Sequence, residues 1–236
     1  MGGKEISVSV HPRYGTSDHY LHQKGREYFR AVGHDRYGVL NGQIEAHKVR
    51  RLIRPTDTVL DFGCGSGGLL QSLQCARRIG VEINPIALQR SIEGGIECYT
   101  DLSDVPDGVA DVIISNHALE HVPYPIEALK QIKSKLKPEG ILALCVPIDD
   151  WRVHKHYKSD DPHHHLHTWT VQLLGNTLAE AGFSVHDGDI SVLTHAWPKY
   201  YQFWYQRIPL PLFDLLCTGW AILTKRRQLF AVVRLR

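Results

Sequence analysis

TVLDFGCGSGGLLQSL, residues 58–73, is a strand-like run that turns at once into a helix-like run through a glycine-rich loop. Two patterns overlap in it. Gly63, Gly65 and Gly68 fit G-x-G-x-x-G, a loop that cradles a dinucleotide pyrophosphate. Asp61, Gly63, Gly65 and Gly67 fit D-x-G-x-G-x-G, which sets a carboxylate beside the same loop. Glycines serve either ligand, because they permit positive φ and let backbone approach closely. The carboxylate does not. At the end of the first strand Asp61 repels a pyrophosphate and attracts a cationic ligand.

Two more acidic residues follow at strand ends. Glu82 lies twenty-one residues after Asp61 and suits ribose hydroxyls of either ligand class. Asp101, in YTDL, offers a carboxylate to an exocyclic adenine amine, and Leu102 offers a backbone N–H; an ordinary turn aspartate is the competing reading.

Outward from this loop the chain alternates. TVLDFG, RRIGVEI, IECYTDL, ADVIISN and GILALCVP read as short apolar strands. GGLLQSLQ, NPIALQRSIE and PIEALKQIKSKL read as helices between them. Such alternation predicts an α/β fold with a doubly wound, mostly parallel sheet and helices on both faces. TVQLLGNTLAEAGF adds a helix stopped at Gly182. SVHDGDISVL and QLFAVVRL form a closing antiparallel pair. GQIEAHKVRRLI, residues 42–53, has helical spacing ahead of Pro55. The expected organisation is one domain over 1–236, with an N-terminal helical cap over 1–40 and an aromatic insertion over 195–227.

These motifs together resemble a class I S-adenosylmethionine-dependent methyltransferase of the small-molecule branch. VLDFGCGSG resembles the family's first motif, VEINP its second-strand acidic motif, YTDL its adenine contact and ADVIISNHALEHV its fourth motif. LKPEGILALCVP and HHHLHTWTVQLLGNTLAEAGF follow in family order. The resemblance implies a Rossmann-like sheet of seven strands, the last antiparallel, and S-adenosyl-L-methionine as cofactor. It implies a cofactor lining of Asp61, Gly63, Gly65, Glu82, Asp101 and Asn116, which Cys64, Ile83, Leu102 and His117 complete as neighbours. Other classes that share parts of the pattern are an NAD(P)-dependent Rossmann oxidoreductase and a catalytically silent cofactor-binding protein. No hydride-transfer constellation supports the first.

A hydroxyl acceptor needs a proton acceptor, and fifteen histidines are available. The alignment through HTWT and AGF places His165 at the histidine common in related small-molecule enzymes. His165 therefore ranks first as base, followed by His121 and His167. His163 and His167 stand four apart, but Pro162 places them in a loop, so no zinc set and no metal are expected. Asn116 is followed by His117 and Ala118, not by the Pro-Pro-aromatic run of enzymes that methylate adenine in nucleic acid.

The formal net charge of +2 argues neither for nor against a polyanionic partner, but the basic clusters are short and read as a solvated helix face and a loop, not as a nucleic-acid site. The five scattered cysteines read as reduced thiols. MGGKEISVSVHP has no apolar core and is not a secretory signal, so the expectation is a cytoplasmic protein; a small-molecule acceptor is what the resemblance implies. The insertion, HAWPKYYQFWYQRIPLPLFDLLCTGWAILTKRR, fits a flap on the sheet edge. It also fits a lid over a glycan- or lipid-linked acceptor, a peripheral membrane contact, or a homodimer surface.

Overall fold

The computed structural model describes residues 14–31, 34–149 and 156–236. The first 13 residues lie outside the described ones, as does His154 in the histidine-rich segment. Two helices open the chain, α1 (His22–Ala31) and α2 (His34–Glu45). The strands and helices that follow are β1 (Thr58–Phe62), α3 (Gly68–Gln71), β2 (Arg77–Val81), α4 (Pro85–Glu93), β3 (Glu97–Tyr99) and β4 (Ala110–Asn116). Then come α5 (Pro125–Lys135), β5 (Leu136–Ile148), α6 (Val171–Glu180), β6 (Phe183–Ser184), β7 (Ile190–Leu193), α7 (Tyr201–Tyr205), α8 (Leu210–Thr224) and β8 (Arg227–Leu235).

The sheet order is β3-β2-β1-β4-β5-β8-β6, with β7 also paired to β8. The strands from β3 to β5 are parallel, and β8 runs antiparallel to β5. One edge of β8 is taken by β5; β6 and β7 share the other edge. Those two segments therefore fill one strand position, interrupted where Asp189 accepts from the His186 N–H and its carbonyl accepts from Val232. The outcome is the expected doubly wound sheet with an antiparallel last strand, seven positions wide and eight segments in all.

Parallel strands covered on both faces need continuous apolar runs. Val59, Leu60, Ile79, Ile113, Leu142 and Leu144 have no exposed surface. Caps fix where the helices start. Asn84 accepts from the N–H groups of Ile86 and Ala87, with Pro85 at the first position of α4. Thr170 accepts from Leu173 at the start of α6. Gly182 ends that segment with φ of +93°.

The helix read over residues 42–53 differs. The helix itself is α2, which ends at Glu45, and tight 3₁₀ turns over Ala46–Lys48 and Arg50–Leu52 replace its second half. The tighter winding turns Ala46 and Val49 into the core under β1 and β4, and brings Lys48 back onto Glu45.

The aromatic segment before β8 packs on α2. Phe213 and Cys217 of α8 are buried with Ile44 of α2, and Trp197, Tyr201 and Tyr205 close around them. The opposite side of α8 exposes Leu212, Leu215, Ile222 and Leu223. Among the described residues no helix is long and apolar enough to cross a membrane.

Candidate active site

The carboxyl ends of β1, β2, β4 and β5 open into one cavity of about 2370 Å³. A single small ligand needs roughly 300–1,000 Å³, so two ligands fit side by side. Asp61, Gly63, Cys64, Gly65, Glu82, Ile83, Asn116 and His117 line it, as do His121, His165 and His167. Asp101 and Leu102 do not. Both are buried, and Asp101 accepts from the Ser103 N–H at 2.9 Å to cap a turn. Tyr14 lines the cavity on that side, edge-on to Phe62, and burial with the nearby Asp101 charge raises its phenol.

The glycine loop is held open by its backbone. Gly63, Gly65 and Gly67 have φ of +80°, +56° and +76°. A Cβ on Gly65 would meet nothing within 4 Å, whereas one on Gly63 would stand 2.4 Å from the Ala118 Cβ. Glu82 ties the loop to the second strand, accepting from the Gly65 N–H at 2.8 Å and the Asn84 N–H at 2.7 Å. Gly63→Ala combines the clash with a backbone conformation that alanine resists. It should destabilise the fold by about 1–3 kcal/mol and weaken any ligand of the loop. Thermal unfolding and ligand titration of that variant check both effects.

Asp61 is the unusual group. It sits on β1 between Gly80 and Ile114, is 3% exposed, and its Oδ1 has no hydrogen-bond partner. Burial, helped by the Glu82 charge, pushes its carboxyl up to about 7. Burial pushes Glu82 upward as well, against the N–H groups it accepts from. A buried carboxylate with an unpaired oxygen and a half-buried one beside it, at the mouth of a glycine loop, call for a cationic ligand.

At the floor of the cavity His117 departs from ordinary geometry, with φ of +55°. Its Nε2 faces Gln228 Oε1 at 2.9 Å, and its Nδ1 faces Glu120 Oε1 at 3.2 Å. Gln228 Oε1 also accepts from Lys48 and its amide donates to the His195 carbonyl, so that oxygen is an acceptor. Both ring nitrogens of His117 then carry protons. In accord, burial lowers its pKa but Cys145 and Glu120 outweigh it, leaving it well above the ordinary value. His117 is a cation paired with Glu120, not a base. Lys48, bonded to Glu45 and to Gln228, joins the same network.

The acceptor side is built from two loops. Glu120 and His121 follow β4; His165 follows β5, and the Leu166 and His167 N–H groups donate to the Glu120 carbonyl. His121 Nδ1 lies 2.5 Å from the Tyr20 hydroxyl, which donates to the His163 carbonyl at 2.7 Å. Tyr20 has one proton, so His121 carries its own on Nδ1 and turns a lone pair at Nε2 to the cavity. His165 Nδ1 meets Asp149 Oδ2 at 2.9 Å, which fixes the same tautomer. Burial drives His121 down to about 4, whereas for His165 the Asp149 carboxylate outweighs burial and raises it. His167 differs: its Nε2 is bonded to the Val122 carbonyl at 2.9 Å, so it pins the loop.

Sequence reading did not single out Glu120, Tyr20, Asp149, Lys48 or Gln228. Glu120 had a signal, its place between two histidines in HALEH. Tyr20 and Gln228 had none, because they reach the site from 101 and 111 residues away.

A methyltransferase domain family model matches residues 33–187. The ribosomal protein L11 methyltransferase of Thermosipho africanus is 30% identical over 136 residues, which is 50% of this chain and 51% of that protein. The ubiquinone biosynthesis O-methyltransferase of Haemophilus ducreyi is 33% identical over 102 residues, 36% of this chain and 43% of that protein. The chain thus spans about half the length, or less, of these curated relatives. Among solved structures, phosphoethanolamine N-methyltransferase 2 of Haemonchus contortus, in complex with S-adenosyl-L-methionine, superposes with a TM-score of 0.58. It is 16% identical, covering 92% of this chain and 58% of that one, and it speaks for the fold.

Proposed function

The chain belongs to the methyltransferase domain family, class I in fold, and we propose that it transfers a methyl group from S-adenosylmethionine to a hydroxyl oxygen of a small acceptor. The unpaired Asp61 carboxylate carries the reading. A buried anion without a partner fits the cationic methionine end of this cofactor and opposes a dinucleotide pyrophosphate. Gly63 and Gly65 bring the backbone against the same end, Glu82 presents its carboxylate to ribose hydroxyls, and Ile83 and Asn116 border the space between. When bound, the cofactor supplies an activated methyl, the sulfur keeping the electron pair of the broken bond as the new oxygen–carbon bond forms.

The protein's part is alignment, exclusion of water and removal of one proton. His165 is placed for that last task. Asp149 holds its Nδ1, so Nε2 faces the cavity as the proton acceptor. His121 stands beside it, ring centroids 5.0 Å apart, with the same tautomer and a lower affinity for a proton. His117, already a cation against Glu120, keeps positive charge near the transferring group and does no proton work.

The insertion is a lid in this reading. His195, Trp197, Tyr201 and Trp220 line the cavity, and Trp197 stacks on Tyr201 at 4.5 Å. The exposed leucines and isoleucine on the outer face of α8, with Lys225, Arg226 and Arg227 after it, suit an acceptor carried on a lipid.

Thermal unfolding with separate ligands tests the cofactor half. S-adenosylmethionine and S-adenosylhomocysteine at 100 times their dissociation constants should each add ~2.7 kcal/mol. NAD and NADP should add nothing. Stabilisation by a nicotinamide cofactor alone would return the loop to its pyrophosphate reading.

A further inference from the structure

We propose that Glu120, His121 and His165 form a binding site for a divalent first-row transition-metal ion at the acceptor end of the cavity. One ligand atom from each of the three lies within 4.8 Å of the others. They come from two different loops, after the fourth and fifth strands, so neighbouring sequence does not explain their convergence.

Two further observations point to an ion. Glu120 has no exposed surface, yet its Oε2 has no hydrogen-bond partner. A buried carboxylate oxygen left unpaired costs free energy unless a cation or donor meets it. Both imidazoles are also set as ligands are. Each has Nδ1 held from behind, His121 by the Tyr20 hydroxyl and His165 by the Asp149 carboxylate. That leaves Nε2 of each ring without a bond from behind, and for His121 that atom is 4.0 Å from Glu120 Oε1. A second hydrogen bond on the far nitrogen is the usual support of a metal-bound histidine.

Spacing and donor type narrow the ion. Donors ~2.1 Å from an ion in tetrahedral array stand roughly 3.4 Å apart, so the three atoms need draw in by on the order of 1 Å. The loop carrying His165 is fastened to the Glu120 carbonyl through the Leu166 and His167 N–H groups, so the two loops that bear the ligands are already tied together. Two imidazoles and one carboxylate favour zinc, manganese or iron over magnesium and calcium, which prefer oxygen alone. Three protein ligands leave a position open, as in catalytic and not structural metal sites.

The site deepens the O-methylation reading and, in its use of the open position, rests on it. An acceptor hydroxyl entering that position would have its pKa lowered by the ion. Its proton would then leave to water through the open cavity, and His165 would act as a ligand instead of the base.

The test is calorimetric titration of the whole chain with Zn²⁺, Mn²⁺ and Mg²⁺, separately and without cofactor. One Zn²⁺ or Mn²⁺ should bind per chain, and Mg²⁺ more weakly. His165→Ala should weaken binding at least ~10²-fold and Asp149→Asn ~10–100-fold, with unchanged circular dichroism confirming the fold. Asp149→Asn separates the site from scattered surface histidines, because Asp149 supports His165 at the nitrogen that would face away from the ion. Absence of stoichiometric binding, or binding that survives both substitutions, overturns the proposal. Chelation separates it from the function above. Transfer that continues undiminished after chelation removes the ion from the transfer step and keeps His165 as base, whereas stoichiometric binding without transfer to any hydroxyl keeps the ion site and removes the O-methylation reading.

Discussion

Asp61→Asn should make the ligand-free protein more stable at pH 8 and weaken S-adenosylmethionine binding by one to two orders of magnitude. Both effects come from one carboxylate. In the folded chain it titrates at about 7, raised first by burial and then by Glu82. Against an ordinary aspartate that is about three pH units, on the order of 4 kcal/mol when the group is fully ionised. An acid raised in the folded state binds its proton more tightly there than in the unfolded chain. Its contribution therefore favours folding most below the unfolded value near 4. It fades as pH climbs toward 7, and above that the buried charge is a burden. Asparagine keeps the shape and removes the charge, so the unfolding midpoint at pH 8 should rise by several degrees.

The ligand reverses the balance. A cation beside Asp61 favours its ionised form, and a hydrogen bond to a charged group is worth about 1.5–3 kcal/mol. Wild-type affinity should fall as pH drops from 7 to 6, and in Asp61→Asn that dependence should vanish. Calorimetry at the two pH values reads this directly. Equal affinity in the variant would mean that the unpaired oxygen does not face the cofactor, and an unchanged midpoint at pH 8 would mean that its charge does not burden the fold.

His165→Ala should lower turnover by ~10²–10⁴-fold while leaving cofactor affinity within about twofold. The split follows from position. His165 lies on the loop after the fifth strand, against His121 and Asp149, and touches none of Asp61, Gly63, Gly65 or Glu82. Loss of a proton acceptor and loss of a metal ligand both predict this drop, and chelation tells them apart. Undiminished turnover in His165→Ala would remove the residue from the mechanism under either role.

The glycine loop and the strand beat were legible because they are local. Positive φ at three glycines, a carboxylate two residues ahead and an acidic residue ending the next strand are all written within 25 residues of chain. The doubly wound sheet follows from apolar runs at helical and strand spacing. The broken strand over β6 and β7 was not legible, since its interruption is set by pairing with β8 some forty residues on. The early end of α2 was hidden for a related reason. Its residues keep helical spacing, and the tighter turns come from tertiary packing, with Ala46 and Val49 buried against β1 and β4.

At the site, type was legible and role was not. Histidines after the fourth and fifth strands announced acid–base chemistry, with no metal expected. What separates them is the partner behind each ring: Glu120 and Gln228 make His117 a cation, Asp149 orients His165, and the Val122 carbonyl commits His167 to structure. Those partners are distant in sequence or belong to the backbone. Asp101 shows the converse. Its motif position matched an adenine contact, and in the structure its carboxylate caps a turn outside the cavity lining.

The most direct test of the account follows the methyl group itself. The protein would be incubated with S-adenosylmethionine carrying a ¹³C-labelled methyl and a panel of small acceptors bearing hydroxyl, amine or carbon nucleophiles. The chemical shift of the transferred carbon then reports its new bond. The account predicts label on a hydroxyl oxygen, dependent on Asp61 and His165. Label on nitrogen or carbon, or none transferred to any hydroxyl under conditions where the cofactor binds, would contradict it.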